Sequence, residues 1–300
     1  MNSTRRLAVA LALVAYALAT VAPISAQGPR QMREGFAPVP GARLFFVDSG
    51  GNGIPIVLLH AATGTTRAWQ YQVPALHTAG YRVIAYDRRG WGRTVVDPSG
   101  PVGTAADDLM GLLAALKLDR VHLVATAGGG FVAFDFALSF PARLRSLTVA
   151  DSIGGVRDPE ILDLEARIRP PQFDALPAEV RELGPMYRAA NPEGTRLWVE
   201  IERESRPSLP QTSTLQLAYS VPMRNQLSLA LFEQIRVPTL ILSGGADMTA
   251  PPPLMRVFAA HIKAAEFVVV PNAGHSTYWE EPDAFNRAVL DFRSKPLTPN

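Results

Sequence analysis

Short, nearly unbroken apolar runs alternate with amphipathic stretches along most of the chain. Ile54-Pro55-Ile56-Val57-Leu58-Leu59, Tyr81-Arg82-Val83-Ile84-Ala85-Tyr86, Val121 to Ala125, Ser146 to Ala150, Thr239 to Leu242 and Phe267 to Val270 are such runs. Segments of this length that are apolar on both faces predict central strands covered by helices on either side. Leu44-Phe45-Phe46-Val47 predicts a further strand before them. Between the strands, Asp107 to Leu116 has helical periodicity, Phe131 to Phe140 continues a helix begun at a small-residue turn, Pro252-Pro253 opens a helix, and Pro282 to Arg293 closes the chain with an amphipathic one. The alternation predicts an α/β fold with a doubly wound, mostly parallel sheet.

The rhythm breaks in two places. Residues 155–234 carry helix starts but no strand pattern: Asp158-Pro159-Glu160, Leu176-Pro177-Ala178-Glu179 and Asn191-Pro192-Glu193 each place a proline in a first helical turn. This divides the α/β core into 41–154 and 235–296, with a helical insertion between. Phe173, Met186, Tyr187, Trp198, Tyr219 and Met223 are candidates to line an apolar pocket beneath that insertion, although packing is the commoner role for any one of them. The second break is the N-terminus. Arg5-Arg6, the apolar stretch Leu7 to Val21 and Ile24-Ser25-Ala26 before Gln27 read as a signal peptide over 1–26, and 27–40 as a Pro- and Gly-containing tether. The apolar stretch is short for a membrane span, so the expectation is an exported protein, periplasmic or secreted, with no span left after signal removal.

Composition narrows the chemistry. The chain has 300 residues, 47 % of them hydrophobic, enough for one sizeable domain with an insertion. A formal charge of +2 without a basic run argues against nucleic acid as a partner. There is no cysteine, which excludes disulfides, thiolate metal sites and a cysteine nucleophile. Five scattered histidines provide no metal-ligand spacing. The expectation is a monomer or small homo-oligomer that takes a small-molecule substrate, without cofactor or metal.

Four motifs then fall in order. His60-Ala61-Ala62-Thr63-Gly64 ends the first apolar strand. Asp87-Arg88-Arg89-Gly90-Trp91-Gly92-Arg93-Thr94 follows the second. Ala125-Thr126-Ala127-Gly128-Gly129 joins the Val121 strand to its helix. Asp247 and His275 stand just after the last two strands. The set resembles the α/β-hydrolase family over about residues 40–295, with a strand-to-helix elbow of G-x-S-x-G type at Ala125 to Gly129. The resemblance implies a cap at 155–234, an oxyanion hole at the Ala62 and Gly128 N–H groups, a structural role for Asp87 and Arg89 as a loop-fixing pair, and an Asp247–His275 acid–histidine dyad. It also places Ala127 where the family carries its serine nucleophile.

A methyl group cannot attack a carbonyl, so the usual acyl-enzyme route is unavailable at Ala127. Three accounts remain open. An engineered Ser→Ala change would leave Ala125 and Gly128, which also depart from the motif, unexplained. A register slipped by one makes Thr126 the nucleophile, but a β-branched residue tolerates a positive-φ elbow poorly. Natural loss of the serine leaves the dyad, with His275 as general base on a water beside Ala127. The expected activity is hydrolysis of a small, fairly apolar ester or lactone. A lyase or isomerase needing only a base, and a non-catalytic pocket that binds a ligand, are the alternatives. A weaker rival reads Ala125-x-Ala127-x-x-Gly130, with Asp151 further on, as a degenerate dinucleotide fingerprint of an oxidoreductase.

Overall fold

The computed structural model describes residues 32–169, 171–205, 222–263 and 265–294. The expected signal peptide, the start of the tether and Tyr219 lie outside them. Among the described residues, nine strands make one sheet: β1 (Arg33–Val39), β2 (Ala42–Asp48), β3 (Pro55–Leu59), β4 (Arg82–Tyr86), β5 (Val95–Val96), β6 (Val121–Thr126), β7 (Leu144–Ala150), β8 (Thr239–Gly244) and β9 (Ala265–Val270). The order is β1-β2-β4-β3-β6-β7-β8-β9, with β5 on β2. β1, β2 and β5 pair antiparallel, and all pairs from β4 through β9 are parallel.

The expected tether is therefore corrected over its second half. Arg33–Val39 is an edge strand, exposed along much of its length and buried only at Ala37 and Val39. Gly35 and Pro38 made it read as linker, and an edge is where a strand tolerates both.

Side chains alternate across the sheet, as a period of two requires. Along β3, Ile56 and Leu58 enter one core and Val57 and Leu59 the other. The first core packs Leu76, Phe285 and Val289 on one face; the second packs helix α2 (Ala105–Ala115) and helix α3 (Gly128–Ser139) on the opposite face through Leu109, Leu113 and Phe134. All four β3 residues are fully buried, and each such aliphatic side chain is worth about 1.5–3 kcal/mol of transfer free energy. A slip of one residue would send every one of them to the wrong face.

Between β7 and β8 the described residues form helices and short helical turns, including Pro159–Ile168, Ala178–Glu182, Pro185–Ala190 and Pro192–Ser205. Asp158 does not cap its own helix by side chain; its carboxylate accepts from the Leu229 N–H at 2.9 Å and ties the start of the insertion to its end. Because β3 to β9 run parallel, the loops leaving their carboxyl ends meet at one edge of the sheet, where open α/β sheets place their ligand sites.

Candidate active site

The turn between β6 and α3 is set by a backbone that few side chains allow. Ala127 has φ 47° and ψ −120°, a strained region whose cost of about 1–3 kcal/mol must be met by its surroundings. Three hydrogen bonds hold it: the Ala127 N–H donates to Ala150 O at 2.9 Å, while Ala127 O accepts from Gly130 N at 2.9 Å and Ser152 Oγ at 2.7 Å. Gly129 is required by close approach, since a Cβ there would stand 2.5 Å from Leu59 O. The positive φ falls on Ala127, and Thr126 ends β6 completely buried. The Thr126 alternative is corrected accordingly: the strained residue that exposes its side chain at an elbow is the alanine.

The loop after β3 carries Ala62. His60 is buried, donates from Nδ1 to Ala61 O at 2.7 Å and accepts the Arg88 N–H at Nε2, 3.1 Å away. Burial, helped by the Arg88 charge, lowers its pKa well below the usual value, so it is a neutral strut between two loops. Trp91 Nε1 donates to Ala62 O at 2.8 Å and fixes that peptide. Asp87 and Arg89 do not pair with each other as expected. Asp87 accepts the Thr66 and Arg93 N–H groups at 2.7 and 2.9 Å, while Arg89 grips Asp108 through two bonds of 2.8 and 2.7 Å. Both still brace the loop, through separate partners.

Asp247 follows β8 and His275 follows β9. Asp247 Oδ1 accepts the Thr249 and Ala250 N–H groups at 2.7 and 2.9 Å, which aims Oδ2 at the ring; His275 Nδ1 donates to it at 2.8 Å. Burial opposes charge on the imidazole, but Asp247, Glu182 and Asp151 together outweigh it and hold the pKa up to about 9. The ring is therefore protonated at neutral pH and offers a proton from Nε2. The general base expected at this position would be the neutral ring, the form that the surrounding carboxylates disfavour.

Two acids near the dyad lie outside the four hydrolase-like motifs. Asp151, at φ 51° just past β7, accepts the Gly244 N–H at 2.8 Å and Thr277 Oγ1 at 2.5 Å, joining the loops of three strands. Burial first, then the Asp247 charge, raises its carboxyl well above the usual range. Glu182 ends the helix Ala178–Glu182, is 6 % exposed, and places Oε2 3.9 Å from His275 Nε2. Burial raises its carboxyl, against the pull of His275 and Arg181.

A third acid, Glu280, explains why the insertion comes so close. Its carboxylate accepts the N–H groups of Gly274 and Ser276, on either side of His275, and that of Gly184 at 2.7 Å, two residues beyond Glu182. Gly274 and Gly184 lie backbone against backbone, for a Cβ on Gly274 would be 2.4 Å from Gly184 N. Burial pushes Glu280 up to about 7.

Ala62, Ala127, Gly128, Asp151, Glu182 and His275 line one pocket, completed by Phe131, Ile153 and Phe173 and by Arg169, Asp174 and Arg181. Its cavity volume of about 50 Å³ exceeds the roughly 10–15 Å³ one water needs. The lining is mostly apolar with charged groups at Arg169, Asp174, Arg181 and Glu182, and of the cap residues proposed from sequence only Phe173 contributes. Trp198 is buried in a core with Trp69 and Tyr278, Met186 is exposed, and Met223 lines a separate cavity. Among the described residues no cluster of His, Cys, Asp and Glu could hold a metal, and no helix is long and apolar enough to cross a membrane.

Comparison with known proteins places this architecture. The profile of the Alpha/beta hydrolase family matches residues 56–288. The 2-hydroxy-6-oxononadienedioate/2-hydroxy-6-oxononatrienedioate hydrolase of Paraburkholderia xenovorans is 27% identical over 83% of this chain and 90% of its own. A thermophilic esterase from Thermogutta terrifontis superposes with a TM-score of 0.69 at 29% identity, covering 88% of this chain and 98% of that one. The enol-lactonase of Burkholderia xenovorans LB400 gives 0.68 at 25% identity, covering 87% and 100%. The chain belongs to the α/β-hydrolase family and is an enzyme of that superfamily. The dinucleotide reading of the β6–α3 turn is thereby displaced.

Proposed function

We propose that the protein hydrolyses a small ester or lactone by direct attack of water, without an acyl-enzyme intermediate. The observation that carries this reading is that His275, hydrogen-bonded to Asp247, lines the same small pocket as Ala127, Ala62 and Gly128. In this reading the Ala62 and Gly128 N–H groups bind the developing oxyanion, as paired backbone donors do in acyl transfer. Asp247 fixes the tautomer and orientation of the ring, and His275 hands its Nε2 proton to the departing oxygen. The space that a serine hydroxyl would fill is left to water. Similarity to an esterase and an enol-lactonase supports the substrate class, and Arg169 and Arg181 in the lining favour a substrate with a polar arm. We further propose export, on the strength of Arg5-Arg6, the apolar stretch to Val21 and Ile24-Ser25-Ala26; a mature chain beginning at Gln27 in the periplasm or medium is the expected product.

Steady-state hydrolysis of phenyl acetate and δ-valerolactone by the wild type and His275→Gln, alongside fluorophosphonate labelling, tests the reading. Turnover lost in the variant with no labelled residue supports it. Labelling that maps to Thr126 or another hydroxyl, or turnover indifferent to His275, removes it.

A further inference from the structure

The proposed reaction needs a group to take a proton from water, and beside His275 the pocket holds a buried carboxylate oxygen without a hydrogen-bond partner among the described residues. We infer that Glu182 is that group: a catalytic base supplied by the cap, standing across one water from His275 Nε2. The inference rests on the hydrolytic reading above and assigns the proton acceptor within it.

Geometry carries the argument. Glu182 Oε2 and His275 Nε2 are 3.9 Å apart, beyond the roughly 3.2 Å limit of a direct hydrogen bond and close enough for one water to reach both at about 2.8 Å. Oε2 is buried and has no hydrogen-bond partner among the described residues, and an unpaired buried acceptor is costly unless function retains it. Its position is over-determined. Glu280 ties Gly184 to both flanks of His275, and the Gly184–Gly274 backbone contact sets how closely the insertion can approach. Glu182 also lines the pocket together with Ala127 and Gly128.

The charges around the pair agree with this division of labour. Glu182 is faced by His275 from the β9 loop, Asp247 from the β8 loop, Glu202 from the helix Pro192–Ser205 and Arg181 on its own helix, with Arg169 and Asp174 in the shared lining. Burial raises its basicity, which suits an acceptor. His275, facing Asp247, Asp151 and Glu182, keeps its proton to about pH 9 and is the donor.

The step balances. Water oxygen bonds to the carbonyl carbon while its proton passes to Glu182 Oε2, and the carbonyl electron pair becomes the oxyanion at Ala62 and Gly128. Collapse breaks the bond to the leaving oxygen, which takes the Nε2 proton of His275. A second water then relays the Glu182 proton to Nε2, so one water is consumed and one acid and one alcohol are released.

The test compares wild type, Glu182→Gln, Glu182→Ala and His275→Gln on phenyl acetate, with melting temperatures to verify folding. Glu182→Gln, which removes the buried charge at nearly constant volume, is expected to fold and to lose roughly 10²- to 10⁴-fold in kcat. Added formate is expected to restore part of the activity of Glu182→Ala, and the acidic limb of the pH profile is expected to vanish in Glu182→Gln. Wild-type turnover that His275→Gln destroys but Glu182→Gln leaves within threefold overturns the role of Glu182 and spares the hydrolytic reading. Loss in Glu182→Ala with no rescue by formate makes the residue structural and overturns the inference as well. Absence of turnover in the wild type removes both readings together.

Discussion

Restoring the missing hydroxyl is the perturbation most open to misreading. Ala127→Ser puts Oγ on an elbow whose φ of 47° is already built, into a pocket wide enough to hold it. A rebuilt triad would be expected to act as a serine hydrolase. The structure predicts otherwise, because a serine needs a neutral imidazole to take its proton. With His275 held at about 9, roughly 1 % of the ring is neutral at pH 7, since each pH unit below the pKa costs a factor of ten. Fluorophosphonate labelling of Ala127→Ser at pH 7 is therefore expected at about one hundredth of its plateau rate, rising tenfold per pH unit until it levels above pH 9. Ala127→Ser combined with Glu182→Gln removes one of the three carboxylates that hold the proton, and its labelling midpoint is expected at lower pH. Rates measured from pH 6 to 10 by intact-protein mass spectrometry decide the matter. Rapid labelling of the single variant that is flat between pH 6 and 8 would show a neutral His275 with Glu182 in place and refute the reasoning.

Two further outcomes follow from particular contacts. Gly274→Ala would drive a Cβ to 2.4 Å from Gly184 N and push the segment bearing Glu182 away from the ring; the His275 pKa, read by NMR titration, is expected to fall, with a loss of about 1–3 kcal/mol in stability from the forced repacking. Arg88 is 3 % exposed, and among the described residues its three guanidinium nitrogens have no hydrogen-bond partner, while the Trp91 ring lies 4.3 Å away. Burial lowers its pKa to about 10. Arg88→Met is expected to leave the melting temperature unchanged or raise it by a stability gain of about 1–4 kcal/mol, the range seen when buried charges give way to apolar side chains; a clear fall would mean that the cation–ring contact outweighs desolvation.

The sheet was readable from local pattern because a strand covered on both faces carries an apolar run, as β3, β4, β6, β7 and β8 do even where Arg82, His122, Arg145, Ser146, Thr148 or Thr239 interrupts or flanks it. The elbow was readable because its strain demands small residues at fixed offsets, which is how Ala127 could be located by position despite its identity. β1 was missed because an exposed edge strand with Gly35 and Pro38 meets no such demand. The positions of Asp247 and His275 followed from strand ends, and the structure brings the two side chains together. Glu182 left no trace: it sits on a five-residue helix, and its meaning comes from its neighbour Gly184 meeting Gly274 and Glu280, which lie ninety or more residues further along the chain. Its charge also reverses the part assigned to His275, since a sequence motif names an imidazole without fixing its protonation. The cap aromatics misled for a related reason. Trp198 and Tyr187 help bury the insertion against Trp69, Tyr278 and their neighbours, so that among these candidates Phe173 alone reaches the pocket wall.

The account turns on which partner gives a proton and which takes it, and the pH dependence of wild-type kcat/KM on phenyl acetate, corrected for uncatalysed hydrolysis, reads that most directly. With His275 as the donor, activity declines as pH rises through about 9 and falls again in acid as Glu182 is protonated, giving a bell. A rate that climbs through about 9 and stays high would mean that a neutral His275 is the base, and would contradict the assignment.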